Sequence, residues 1–376
     1  MKSLLLVIIF STGQLFSLGQ NNKEQAYKYG CEAIRLMDEE KNYQQAIKLL
    51  RKAQLLDEEN ILYSYEIAYA YFVQERYDTA IKLLKKLQRK DAFNERFYHL
   101  LGTCYDLTAD TKKAEKTFLQ GIEDYPFAGQ LYTEMGGLQY RTGNMDRAVS
   151  YWEKGIQKAP AFASNYYWTS KMYLNSSEPI WGVFYGELFM NLERNSSRTA
   201  EMGKMLFDTY QGAFHTESDF AGWFSLSERA RTYRLLVFDE KEETSIPFQV
   251  AFGETFEAVY MEWLQSQNAY TSKENLSIGE LTSLRKSFTQ YWFDQNHAAT
   301  YPNILLDWHK DLIDNGYFEA YHYWLLAKGE PKAFDSWIKT HEWSFGIFMK
   351  WFKDHPLQLN KKENFHRLQY VETKAN

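Results

Sequence analysis

Apolar positions recur along the first half of the chain at spacings of three and four, separated by short polar turns. That pattern predicts helices that each bury one face. A longer period is laid over it. Ala46, Ala80, Ala114 and Ala148 stand 34 residues apart. Around the first two read Tyr43-Gln44-Gln45-Ala46-Ile47-Lys48-Leu49-Leu50 and Tyr77-Asp78-Thr79-Ala80-Ile81-Lys82-Leu83-Leu84. The third and fourth copies are Thr111–Phe118 and Met145–Trp152. Twelve residues before each alanine lies Ile34, Ala68, Gly102 or Gly136, and four after it lies a large apolar side chain: Leu50, Leu84, Phe118 or Trp152. Pro126 and Pro160 each follow their alanine by twelve residues.

These residue types have a steric logic. Two antiparallel helices, A and B, approach closely only where both carry small side chains, and the large residue one turn on fills the adjoining gap. Proline ends helix B because it lacks an amide hydrogen and restrains the residue before it. One such pair cannot bury its own apolar face, so successive pairs must stack. Four units in phase resemble the tetratricopeptide repeat (TPR) family, from about Tyr27 to Arg194. A fifth unit stays in register: Tyr166 and Tyr173 repeat aromatic helix A positions, Gly182 takes the alanine slot, and Ser176-Ser177-Glu178-Pro179 makes the turn. Thr169, Ser170 and Gly186 depart from the motif. Trp181-Gly-Val-Phe-Tyr-Gly-Glu-Leu-Phe-Met-Asn-Leu192 also resembles exported TPR proteins of Bacteroidota-type bacteria.

The composition shifts after the repeats, since all 11 tryptophans lie at Trp152 or later. Helical periodicity continues through Thr199–Tyr210, Pro247–Trp263, Ile278–Phe293 and Ile304–Ile313, with turns expected at Asn315-Gly316 and Gly329-Glu330-Pro331. Arg234–Phe238 reads equally as a short strand or a helix end, and Asp239–Ser245 as a charged loop. The expected fold is all-α: an α-solenoid of TPR helix pairs over 23–195, about five units, then an aromatic-rich α-helical domain over 196–376. Asn315–Trp324 echoes Asn144–Trp152, which extends a TPR-like reading to 303–353.

The chain of 376 residues has only 20 glycines and 7 prolines, and 17% of it is aromatic, which excludes collagen-like and disordered classes. With 43 basic and 49 acidic residues the net charge is −6, so nucleic acid is not an expected partner. Lys2, the apolar run Leu4–Phe10 and Ser17-Leu18-Gly19 read as a signal peptide over 1–19, cleaved before Gln20. No later stretch approaches the ~18 apolar residues of a membrane span. Cys31, the first cysteine, follows Lys28-Tyr29-Gly30, which does not suit a lipid anchor. The expectation is an exported protein, periplasmic or secreted and not membrane-spanning. Cys31 and Cys104 provide no disulfide framework.

Candidate chemistry is sparse. Six histidines fall late (His297, His309, His322, His341, His355 and His366), none paired at the i, i+4 spacing of a zinc helix, and they read as cap or surface residues. Carboxylates are plentiful: Glu187 and Glu193, Glu254 and Glu257, and Asp307 and Asp311; the pairs three or four residues apart share a helix face, and all read as solvated. No phosphate loop or nucleophile elbow is present. The expected role is therefore non-enzymatic, with no cofactor and no metal.

The TPR resemblance implies a concave groove lined by helix A positions. Here they are Cys31, Arg35 and Asp38; Tyr65, Tyr69 and Phe72; Arg96, His99, Thr103 and Asp106; Thr133, Tyr140 and Arg141; then Tyr167, Lys171 and Leu174. Aromatics mixed with Arg35, Arg96, Arg141 and Lys171 suit a protein or peptide segment bearing acidic residues. Cys31 and Arg35 do not match the clamp by which chaperone-binding TPRs hold a terminal carboxylate. The alternative is a glycan-binding protein that uses the aromatics of the second half.

Overall fold

A computed structural model describes residues 2–88, 94–218, 221–236, 246–266, 275–360 and 364–370, the side chains of 2–19, 216–218, 221–222 and 234–236 excepted. The fold is all-α, built from adjacent antiparallel helix pairs, and forms two compact units, Met1–Asn144 and Met145–Asn376. Asp239–Ser245 lies outside the described residues.

The first unit holds α1 (Lys2–Asp38), α2 (Tyr43–Leu56), α3 (Leu62–Val73), α4 (Tyr77–Leu87), α5 (Glu95–Leu107), α6 (Thr111–Asp124) and α7 (Gly129–Arg141). Helix A of each repeat is α1, α3, α5 or α7. The repeat alanines Ala46, Ala80 and Ala114 are fully buried, as are Leu50, Leu84 and Phe118 one turn on. A methyl group on Gly102 would collide with the Phe118 ring, which shows how closely α5 and α6 approach. α6 stops just before Pro126. The turns keep the period too. Lys41, Glu75, Ala109 and Gly143 have φ of 54°, 59°, 60° and 82°, so the A-to-B turn of each of the first four repeats passes through one left-handed residue. The next residue caps helix B in the first and third repeats, where Asn42 and Asp110 side chains accept from the amides of Gln45 and Lys113. α1 runs unbroken past Gly19 and Gln20. Gln20–Glu24 are exposed, and Ala26 is the first of its described side chains to be buried.

The second unit begins with α8 (Met145–Lys158), α9 (Ala163–Leu174), α10 (Pro179–Leu192) and α11 (Ser197–Gln211). α8 ends before Pro160, and its Ala148 and Trp152 are buried. The fifth repeat, α9 with α10, packs tightly despite its departures from the motif. Gly182 lies against Leu174 and Gly186 against Ser170, and the Ser170 hydroxyl donates to the Gly182 carbonyl at 2.7 Å. Thr169 donates to the Asn165 carbonyl at 2.7 Å, so both buried hydroxyls are satisfied. α10 is covered on nearly every face, as its continuous apolar sequence requires.

A hairpin follows, β1 (Phe214–Ser218) antiparallel to β2 (Ala221–Phe224), pairing Phe214 with Phe224. This element departs from the helical reading of the second half. Phe214 and Phe224 turn their rings inward onto Tyr260 and Phe256, with centroids 4.9 and 4.0 Å apart. Then come α12 (Glu228–Leu236), α13 (Phe248–Ser266), α14 (Ile278–Asp294), α15 (His297–Thr300), α16 (Ile304–Asp314), α17 (Phe318–Leu326) and α18 (Pro331–Asp354). Arg234-Leu235-Leu236 is thus a helix end. Ser277 opens α14 with a capping box to Glu280, Gly316 (φ 74°) turns α16 into α17, and Pro331 starts α18. The C-terminal segment returns across the core, where Tyr370 stacks on Phe248 at 4.4 Å and Phe365 on Phe184 at 5.0 Å.

Candidate functional site

The A helices α3, α5 and α7 lie side by side, joined by side-chain contacts between successive repeats. Tyr65 meets Phe97 with centroids 4.9 Å apart. His99 Nε2 lies 3.2 Å from Glu134 Oε1 and 2.9 Å from the Gln130 amide nitrogen, and Arg141 pairs with Asp106. Thr103 donates to the His99 carbonyl at 2.8 Å. His99, Asp106 and Arg141 therefore bind helix A to helix A.

α3 is what leaves an aromatic face outside. It turns Tyr63, Ile67, Ala68 and Ala70 into the core, while Tyr65 and Phe72 stay half-buried and Tyr69 remains 37% exposed. The Tyr69 and Phe72 rings stack at 6.2 Å, and Phe72 meets Tyr77 at 5.8 Å. Beside them stands Arg96, exposed at the start of α5 where the Asn94 side chain caps the helix. Burial pushes the Tyr65 hydroxyl up to about 12, helped by Glu66, and Arg96 opposes the rise. Burial also raises the Glu66 carboxyl, which Arg96 again counteracts. Tyr140, 44% exposed, adds an aromatic on α7.

Other expected groove positions are engaged differently. Arg35 is held by its neighbours: its guanidinium bonds Glu32 at 2.7 and 3.0 Å, Glu40 at 2.8 Å and Glu39 at 3.4 Å. In the second unit Tyr167 is a core residue rather than a surface one, only 4% exposed, with its hydroxyl donating to Glu201 at 2.5 Å. Lys171 pairs with the same carboxylate at 2.7 Å. Cys31 is an exposed free thiol and Cys104 a buried one, whose thiol burial pushes up to about 12.

The residues that periodicity missed lie inside the second unit. Glu187 on α10 is fully buried, and its carboxylate meets Arg285 Nη2 at 2.7 Å, His309 Nε2 at 2.5 Å and the Tyr321 hydroxyl at 3.0 Å. Asn191 donates to Tyr321 at 2.7 Å, and His322 Nδ1 lies 2.8 Å from the Thr282 hydroxyl. This corrects the reading of Glu187 as solvated and of His309 and His322 as surface histidines. α10 is buried on all sides, so its mid-helix carboxylate needs buried partners. Burial opposes the Glu187 charge, but Arg285 and His309 outweigh it and hold the carboxyl well below its usual range. Burial lowers the pKa of both histidines, and the charge of Arg285 adds to the effect while that of Glu187 opposes it. The cavity beside this cluster measures about 10 Å³, room for about one water. The cluster fastens α10, α14, α16 and α17 together.

Nor do the tryptophans gather in one open cleft. Trp152, Trp181, Trp292, Trp308 and Trp337 are buried, whereas Trp343 on α18 stands 81% exposed.

Residues 39–104 match the family model of the tetratricopeptide repeat. No curated protein matches the chain. Among solved structures, Pseudomonas aeruginosa PilF is similar at 17% identity, covering 51% of this chain and 86% of its own, with a TM-score of 0.44. MamA from Desulfovibrio magneticus RS-1 is 15% identical over 46% of this chain and 97% of its own, with a TM-score of 0.36. YrrB, described as a TPR protein with an unusual peptide-binding site, is 20% identical over 48% and 92%, with a TM-score of 0.34. Helix pairing, the buried small residues and the family match together support tetratricopeptide repeats in the first unit, matched directly from α2 to α5.

Proposed function

We propose that the protein is an exported, non-enzymatic scaffold that takes a protein or peptide segment against the A helices of its first unit. TPR proteins bind protein or peptide partners, which supports the class of role. The observation that carries the reading is Tyr69. It stands exposed in an aromatic stripe with Tyr65 and Phe72, although α3 has apolar residues enough to fill the core. Aromatic side chains beside an arginine are the composition of interface hot spots. Arg96 supplies a positive charge at the edge of the stripe, so the favoured segment brings an apolar anchor and a nearby carboxylate. Arg35 is already neutralised by three glutamates and contributes least. Export rests on the basic, apolar and small-residue order of the first 19 positions, and the exposed Gln20–Glu24 give a processed chain a start outside the core.

The test is partner capture by tagged protein from the producing cell, comparing the native chain with Tyr69→Ala/Arg96→Glu. The expected outcome is loss of the captured species with helical circular dichroism unchanged. Undiminished capture by the double variant contradicts the reading.

A further inference from the structure

The segment 364–370 lies across the second unit, and Phe365 is the one residue of it that is buried. We propose that the surface beneath it, built by α8, α9, α10 and α13, is a binding site for a peptide of the form aromatic-x-arginine-x-x-aromatic, which residues 365–370 occupy as the chain's own competing ligand. The site is separate from the aromatic face of the first unit and uses none of its residues.

The segment is held as a bound peptide is held. Phe365 is its apolar anchor: the ring stacks on Phe184 with centroids 5.0 Å apart and meets Tyr185 edge-on at 5.6 Å. Arg367 is the polar anchor. Its Nε and Nη2 donate to the two oxygens of Glu153 at 3.0 and 3.1 Å, and its backbone amide donates to the Tyr185 hydroxyl at 2.8 Å. Tyr370 closes the far end, stacked on Phe248 at 4.4 Å, with its hydroxyl donating to the Pro302 carbonyl at 2.7 Å. A seated aromatic beside a bidentate arginine is the composition of an interface hot spot.

The receiving surface is positioned by helices that the segment does not belong to. Glu153 on α8 is 3% exposed, and its Oε1 also accepts from Tyr173 on α9 at 3.1 Å and from Tyr185 on α10 at 3.2 Å. When Arg367 leaves, the carboxylate keeps those two donors and stays aimed at the place of the guanidinium. Phe184 is likewise braced from α13, with Phe248 and Phe252 centroids at 5.4 and 5.5 Å. An uncompensated carboxylate inside a protein is costly, so the open site favours an incoming cation. Both oxygens of Glu153 match the guanidinium fork, whereas a lysine ammonium is a point charge that lacks it. The chain's own segment is tethered and meets the site at high effective concentration. A free peptide must displace it, so its apparent affinity falls with the fraction of molecules whose site is open.

Fluorescence polarisation on the full chain tests this, with a fluorescein-labelled synthetic peptide of sequence 364–370 as probe. Arg367→Glu sets a carboxylate against Glu153 and opens the site, so this variant should bind the peptide at least about tenfold more tightly than the native chain. Adding Glu153→Gln should remove that gain with helical circular dichroism unchanged, and a peptide with lysine in place of its arginine should bind at least about tenfold more weakly. Phe365→Ala opens the site by its other anchor and serves if Arg367→Glu fails to fold. In the native chain, excess peptide should speed hydrogen exchange of residues 365–370 while α10 stays protected. The proposal is overturned by no binding to either opened variant, by a gain that survives Glu153→Gln, by equal binding of the lysine peptide, or by exchange of 365–370 that excess peptide leaves unchanged.

Discussion

The Glu187 carboxylate lies 2.5 Å from Nε2 of His309, a residue 122 positions further along the chain. The same carboxylate pairs with Arg285, so one buried acid ties three helices into a single core. Removing one partner of a buried pair leaves the other charge uncompensated. Glu187→Gln should therefore cost about 3–5 kcal/mol in denaturant unfolding. Glu187→Leu with Arg285→Met, which removes both charges, should recover much of that loss. A cost for Glu187→Gln below ~1 kcal/mol, the range of exposed pairs, would contradict the role assigned to the cluster.

Acid should weaken the second unit in two stages. His309 and His322 have folded pKa values below the ordinary 6.5, so the unfolded chain binds more protons than the folded one as pH drops. Their contribution is present above about pH 6.5 and is lost as pH falls from there toward the folded values. Glu187, also lowered, contributes above its ordinary 4.5 and loses that contribution at more acidic pH. Denaturant midpoints measured between about pH 7.5 and 5.5 should fall for the native chain and fall less for His322→Asn. Equal slopes would rule out His322 as a contributor.

The left-handed turn residues make a separate prediction for the first unit. Ala109 adopts φ 60° without the freedom of glycine, whereas Gly143 occupies the equivalent turn of the next repeat at φ 82°. Ala109→Gly should stabilise by up to about 1 kcal/mol, and Gly143→Ala should destabilise by a similar amount. Thermal unfolding followed by circular dichroism reads both signs. A loss on Ala109→Gly would show that the turn is not strained.

What the sequence made legible was whatever repeats or acts locally. The Gly102–Phe118 contact, the stops before Pro126 and Pro160 and the buried repeat alanines follow from residue size and missing amide hydrogens. The fifth repeat was legible as a register, though not in its packing, where Gly182 and Ser170 take over from the usual residues. The hairpin from Phe214 to Phe224 was missed because each strand is too short to display a period of two. Glu187, Arg285, His309 and Tyr321 were missed for another reason. Their partners are far apart in the chain, and only the near-continuous apolar run of α10 around Glu187 signalled that this carboxylate would be buried. Within the expected groove, side-chain identity alone did not separate Tyr69, which faces solvent, from Tyr167, which Glu201 and the core enclose.

The most direct test of the scaffold reading is site-specific photocrosslinking in the producing cell, with a photoreactive phenylalanine at position 69 and, as control, at position 55. Leu55 is 75% exposed on a B helix and is not among the expected groove positions. The account predicts a discrete protein adduct at 69, absent at 55 and lost when Arg96→Glu is added. No adduct at 69, or the same adducts from both positions, would contradict it.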